Sequence, residues 1–389
     1  MPTDVLGLLQ ELIAIPSVNP ENLGPRSDPP YGEGRMADYV EGFFAPYGLR
    51  VQRQEVQPGR ANVLVHVPGT DPTLAPLLLQ AHMDTVEAGA MEAAFTPRLE
   101  DGRLYGRGAC DAKGPLAIQM MAVRELLDEG ARLPRGVVLV GGADEEFGMR
   151  GSAALAASGQ RFCGAVVGEP TSLQVVTATN GQMYLIFRTQ GQPAHTSTPH
   201  MGVNAIYLMM EVVDVLRRRE AAEFPSREHP LCGSPVLTVS MINGGWSEHV
   251  VPDACEARLD RRLIPGETGE GALEEIRRWL AEDLHPETLR RTVVETTFKN
   301  QPPVDLPADH PLVLALCGAA REVTGEAFIL GKKGNTDASN LTRGGIPCVI
   351  FGPGGGGIHG DNEYVEVDDL GKGVEVLKRL ILGGVPGLG

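Results

Sequence analysis

Nowhere does the sequence hold a long block of lysine or arginine. With a formal charge of −16 and a pI near 5.1, it offers no electrostatic footprint for nucleic acid or for an anionic membrane surface. The densest basic cluster, Arg217-Arg218-Arg219, ends an apolar-periodic segment, where cations oppose the helix dipole. No CxxC pair occurs among the six cysteines, Cys110, Cys163, Cys232, Cys255, Cys317 and Cys348, so neither a disulfide framework nor a thiolate zinc site is expected. The first residues, MPTDVLGLLQELIAIP, lack a basic leader and carry Asp4 and Glu11. They are expected to form an amphipathic helix, with Val5, Leu8, Leu9, Leu12 and Ile13 recurring at helical spacing, and not a signal peptide or membrane span. These absences leave an acidic chain of 389 residues, 42% apolar and 22% charged, expected in the cytoplasm and long enough for two globular domains.

What is present is alternation. Helices are expected near 4–14, 35–46, 113–129 and 150–157, and strands in LRVQRQEV, ANVLVHV, 77–81, 136–142 and Ala165-Val166-Val167. The same order returns with helix 311–323, strand Cys348-Val349-Ile350-Phe351 and an amphipathic helix after Asp368. Near-continuous apolar strands separated by helices imply an α/β domain with a mostly parallel sheet covered by helices on both faces. Between the two flanks the order changes to strand MYLIFRTQ, helix 202–218, strands PVLTVSMI and ACEARLDRRL, helix 270–283 and strand RTVVETTF. That is a ferredoxin-like βαββαβ unit, expected as a separate domain at 179–299 inserted into an outer domain of 1–178 and 300–389.

In an open parallel sheet, ligands gather outside the carboxyl ends of the strands. His82 ends LLLQA, Glu145 and Glu146 follow VVLVGGAD, Glu169 ends AVVG, His359 follows CVIFGPGGGGI, and Asp111 lies in the turn before helix 113–129. Singly, each has a bland explanation: a histidine can be a bonded core residue, Asp111 can cap its helix, and Glu169 before Pro170 can be a loop carboxylate. Jointly, six groups converge at one edge, and ionised groups there must be solvated, paired or metal-bound. Imidazoles and carboxylates without thiolates suit two divalent ions, zinc first with cobalt or manganese as alternatives, in a hydrolytic site. Asp84, two residues beyond His82, is expected to orient that imidazole from behind. Glycines 354–357, Gly355 among them, let the backbone pass close to a substrate before His359.

The segments LLLQAHMDTV, LYGRGACDAKG, GGADEEFG, VVGEPT and FGPGGGGIHGDNEYV, in this order, resemble the signatures of a family. It is that of the co-catalytic zinc amidohydrolases and peptidases, which include acetylornithine deacetylase, succinyl-diaminopimelate desuccinylase, aminoacylase and glutamate carboxypeptidase. The resemblance covers nearly the whole chain. It implies that His82 and Glu169 hold one zinc, Glu146 and His359 the other, that the Asp111 carboxylate bridges them and is followed by a cis peptide to Ala112, and that Glu145 is the general base. The glutamate at 169 looks like the deacylase and carboxypeptidase branch. The inserted domain falls where the family has its lid and dimerisation domain, so the resemblance also implies a homodimer. His195 in GQPAHTSTPHMGVNAI matches a lid histidine that serves the neighbouring subunit's oxyanion; by itself the segment also reads as a polar turn. Arg262 in CEARLDRRLIPG, beside Arg258 and Arg261, matches an arginine that clamps the substrate carboxylate. His249, in SEHVVPD, stands where the family usually has asparagine, and is expected to join Arg262.

The function so implied is metal-dependent hydrolysis of the amide bond of an N-acyl amino acid. The same site chemistry serves a dipeptidase or carboxypeptidase acting on a short peptide, and a metal-free interaction protein of the same fold is the reading from a different class. A dinucleotide fold read from GPGGGGIHG lacks a helix opening directly at the end of the run and an acidic residue at the expected later position.

Overall fold

In the computed structural model, residues 2–21, 32–385 and 387 are described, without the side chains of 298 and 299. Strand Leu77–His82 is buried at every position because it lies between two parallel neighbours, Val137–Gly142 and Gly164–Gly168. Gly164–Gly168 pairs in parallel with Cys348–Phe351, completing a four-stranded parallel centre whose apolar runs are covered on both sides. The flanks are antiparallel. Arg60–Val67 runs against Val137–Gly142 and carries the polar edge strand Arg50–Gln57, while Val175–Thr179 and Val304–Asp305 extend the other side.

The alternation of side chains along Leu77–His82 sorts the two faces. Leu77, Leu79 and Ala81 enter the main apolar core with residues of helices Val5–Ile13, Gly34–Phe44, Lys113–Asp128, Pro311–Thr324 and Val367–Gly383. Gln80 faces the opposite side, where its amide meets the Asp337 carboxylate at the start of helix Ala338–Arg343, which packs against helix Arg150–Ala156. Each fully buried Leu, Ile or Val contributes roughly 1.5–3 kcal/mol, so the central strands are the least movable parts of this unit, and their carboxyl ends are fixed points.

The chain divides into two units, one of residues 1–177, 306–330 and 336–389, the other of 178–305 with 331–335. The inserted unit thus reaches beyond the expected 179–299. Val304 and Asp305 pair with Thr179 and Ala178, and Asn180 N–H donates to the Lys332 carbonyl, which draws both short segments into it. Its strands run antiparallel in the order Val236–Gly244, Ala254–Leu263, Gly181–Gln190, Thr292–Gln301, the ferredoxin-like order. Helices Ala205–Glu223, capped by Asn204, and Gly269–Asp283, capped by Thr268, supply the other half of this unit's core around Trp279. No helix among the described residues is long and apolar enough to cross a membrane.

Candidate metal centre

Asp111 organises the cluster. Its Oδ1 lies 3.0 Å from His82 Nε2 and its Oδ2 lies 3.4 Å from His359 Nε2, so one carboxylate presents a separate oxygen to each of two imidazoles. Glu146 Oε2 stands 3.1 Å from His359 Nε2, and Glu169 Oε1 stands 3.9 Å from His82 Nε2. Ligand atoms of His82, Asp111 and Glu146 all fall within 4.8 Å of one another. Asp111 does not cap the following helix: the capping position is Ala112, which makes no side-chain cap bond, and the Asp111–Ala112 peptide is cis.

The tautomer of His82 follows from its neighbours. Nδ1 lies 2.9 Å from the backbone carbonyl of Asp84. A carbonyl only accepts, so Nδ1 carries a proton, and Nε2 is the nitrogen directed at Asp111 and free to serve a metal once its own proton is lost. This differs in detail from the expected role of Asp84: the residue's carbonyl, not its carboxylate, makes the close contact, Oδ1 being 3.6 Å from the ring. The carboxylate does other work. It accepts the backbone N–H groups of Glu145 and Glu146, at 3.1 and 3.0 Å, and the Asn19 amide at 2.8 Å, and so fixes the backbone of the two adjacent glutamates.

Burial sets the electrostatics. Loss of hydration raises Glu145 well above the usual carboxylate range, with the charges of Glu169, Asp337 and Glu146 adding to it. The same loss pushes Glu146 up to about 7. Burial opposes charge on His82, yet its bonds to Asp111 and Asp84 hold it well above the ordinary imidazole value, and bonds to Asp111 and Glu146 push His359 up to about 10. The pocket therefore gathers protons where it can gather cations. Glu146 Oε1 is buried with no hydrogen-bond partner. An unbonded buried carboxylate oxygen beside two imidazoles and a two-sided carboxylate is a donor set that fits divalent metal.

Three further groups surround the cluster to which the sequence alone assigns no role, although Arg107 and Glu363 fall within LYGRGACDAKG and FGPGGGGIHGDNEYV. Asn19 joins Asp84 to Asp144. Arg107 and Glu363, each 1% exposed, pair at 2.7 Å behind Asp111. Asp337 accepts from Gln80 below the strand ends.

Gly355 is exposed, and its backbone lies where a Cβ would meet the Tyr364 carbonyl and Cys110 Sγ at 2.2 and 2.6 Å, so close packing alone demands glycine there. His195, His249 and Arg262 belong to the inserted unit. The first two are neighbours: His195 bridges to Val250, and Thr196 N–H donates to the His249 carbonyl. Both are exposed, and His195 Nδ1 is 2.7 Å from Ser197 Oγ. Strand alternation separates the three arginines of Ala254–Leu263. Arg261 is buried, bound to Glu267 and stacked over Phe224. Arg258 is exposed and pairs with Glu256, and Arg262 pairs with Asp260 at 2.9 Å on the open face.

The sequence profile of Peptidase family M20/M25/M40 matches residues 78–383. Acetylornithine deacetylase of Yersinia pseudotuberculosis is 30% identical over 388 residues, covering 96% of each chain, and that of Myxococcus xanthus is 32% identical over 361 residues, covering 89% of this chain and 91% of the relative. Among solved structures, an M20 family metallo-carboxypeptidase from Sulfolobus solfataricus superposes with a TM-score of 0.78 at 19% identity, covering 98% of this chain and 99% of that one. A tripeptidase from Staphylococcus aureus superposes at 0.79 with 20% identity, covering 97% and 96%.

Proposed function

The chain belongs to Peptidase family M20/M25/M40, and from that membership we propose that this hydrolase cleaves the amide bond of N-acyl amino acids, acetylated ones foremost. Two relatives matched over most of both chains are acetylornithine deacetylases. The observation that carries the reading is Asp111, whose two oxygens face two different imidazoles, the arrangement a bridging ligand requires.

In this reading His82 and Glu169 would hold one divalent ion and Glu146 and His359 the other, with Asp111 shared between them; zinc would be the first choice for this donor set. When bound, such a pair supplies Lewis-acid polarisation of the amide carbonyl and a more acidic water. Glu145 takes a proton from the attacking water and returns it to the leaving amine. A carboxylate held at a fixed place beside Glu146 can serve both transfers. Asp84 keeps Glu145 and Glu146 in register through their backbone N–H groups. Arg262 and His249 take the substrate carboxylate, the backbone at Gly355 borders the substrate, and His195 of the partner subunit donates to the oxyanion in a homodimer.

A metal-supplemented hydrolysis screen of N-acetyl, N-succinyl and N-formyl amino acids beside dipeptides tests the proposal. Fastest turnover on an N-acetyl amino acid is expected. Faster cleavage of dipeptides would assign the same chemistry to a peptidase, and no hydrolysis with two ions bound would remove the enzymatic reading.

A further inference from the structure

Arg107 and Glu363 are both 1% exposed and meet at 2.7 Å. Burying an ion pair costs several kcal/mol of hydration per ion unless the remaining donors and acceptors are also satisfied, and here every guanidinium nitrogen and both carboxylate oxygens have a partner. Glu363 Oε1 accepts the backbone N–H groups of Cys110 and Asp111, each at 3.0 Å. Its Oε2 accepts Gly108 N–H at 3.0 Å and the Arg107 guanidinium. Arg107 spends its other donors on carbonyls, Gly360 at 3.0 Å and Glu87 at 3.0 Å. The pair therefore touches three loops: the one after His82 and Asp84, the one ending in Asp111, and the one bearing His359.

These loops differ in how firmly the rest of the fold holds them. His82 ends a fully buried central strand and is itself 2% exposed. His359 sits at φ 60° after glycines 354–357, with its side chain 52% exposed. Nothing comparable to a buried strand fixes it. Its neighbour Gly360 is tied down by Gly357 and by the Arg107 guanidinium.

We propose that Arg107 and Glu363 form a buried clamp that sets the spacing of His359 from Asp111, and through it the affinity for the ion bound at His359. The inference rests on the two-ion reading above. Both are positioning residues, because they act through backbone, the Asp111 amide and the Gly360 carbonyl, and not as ligands themselves.

Stepwise titration of metal-free protein with cobalt(II), followed by calorimetry and by the visible d–d spectrum, separates this from general support of the fold. Wild type is expected to take two equivalents. Glu363→Gln keeps the shape but sets an amide against backbone N–H donors, and should leave the first affinity within about threefold while weakening the second by about 10–100-fold. Its one-ion spectrum should match that of His359→Ala. Arg107→Lys keeps the charge beside Glu363 but loses the fork that reaches Gly360 and Glu87 together, and should behave alike even where Glu363→Gln does not fold. Unaltered second affinity in either folded variant overturns the clamp, as do equal loss of both ions, a spectrum matching His82→Ala, or failure of both variants to fold. A wild type that takes fewer than two ions overturns the two-ion reading instead.

Discussion

Changing Asp84 to asparagine tests how the two glutamates are held. The carboxylate is fully buried, and each oxygen is committed: Oδ1 accepts Glu145 N–H, and Oδ2 accepts Glu146 N–H and the Asn19 amide. Asparagine must turn its NH2 toward one side or the other. The less harmful rotamer places it against Glu145 N–H, which loses one charge-assisted bond and leaves a buried donor unpaired, together on the order of 3 kcal/mol. The contact to His82 survives, because it is made by the backbone carbonyl of residue 84. Urea unfolding of the metal-free protein should therefore show a loss of about 3 kcal/mol, metal analysis should still find the ion at His82, and turnover should fall roughly 10–100-fold as the base loses its position. Unchanged stability together with unchanged turnover would refute the reasoning, and loss of metal at His82 would show that the carboxylate, not the carbonyl, holds that ring.

Glu145→Gln keeps the shape and removes the base, so kcat should drop about 10²–10⁴-fold with metal content unchanged; near-normal turnover would shift the role to Glu146. Chelation should abolish hydrolysis, and zinc, cobalt or manganese should restore it, whereas activity in chelated, metal-free protein would sink the mechanism. Burial pushes Asp337 up to about 6, so its proton stays on the folded chain and leaves the unfolded one between about pH 4 and 6. The stability this supplies is full below about pH 4 and lost as pH rises through 6. Metal-free Asp337→Asn should flatten that window and exceed wild type above it by on the order of 3 kcal/mol in urea unfolding, and an identical pH profile would remove the claim. Mixing Glu145→Gln chains with His195→Ala chains should recover about a quarter of wild-type activity, since half the randomly reassorted dimers carry one complete site of two; no recovery despite subunit exchange would count against a shared site.

The elements written in long periodic runs were legible. Leu77–His82, Val137–Gly142 and helix Lys113–Asp128 lie where apolar patterning puts them, because burial on two faces or along a helix stripe leaves a pattern that one window of sequence can hold. The antiparallel course of Arg60–Val67 was not legible, since ANVLVHV is as apolar as a parallel strand and direction is set by the chain's path. Nor were Arg98–Glu100, Arg103–Tyr105, Gly355–Gly356 and Tyr364–Glu366, which form a small sheet of two- and three-residue strands too short to show any period. What holds them is local and cross-strand: Arg98 and Arg103 lie over the rings of Tyr105 and Tyr364.

The groups of the candidate site divide the same way. His82, Glu146 and Glu169 could be picked out because each follows a buried strand, where an ionisable side chain needs a reason. Asp84 shows where such reasoning stops. Alternation predicts that residue 84 points to the same side as residue 82, but the strand ends at His82, and beyond that end the period of two no longer applies. The backbone turns, the carbonyl takes the ring and the carboxylate turns to Glu145 and Glu146. Glu363 lies further still from any local signal, since its partners Asp111 and Arg107 are 252 and 256 residues away in sequence. A carboxylate that accepts backbone N–H groups and one guanidinium across such a distance leaves no spacing to recognise; its one trace is that it follows His359 by four positions. The ligands most easily read from the sequence are thus those that rigid strands already hold, and the one ligand on a glycine loop, His359, depends on partners that the sequence keeps farthest from view.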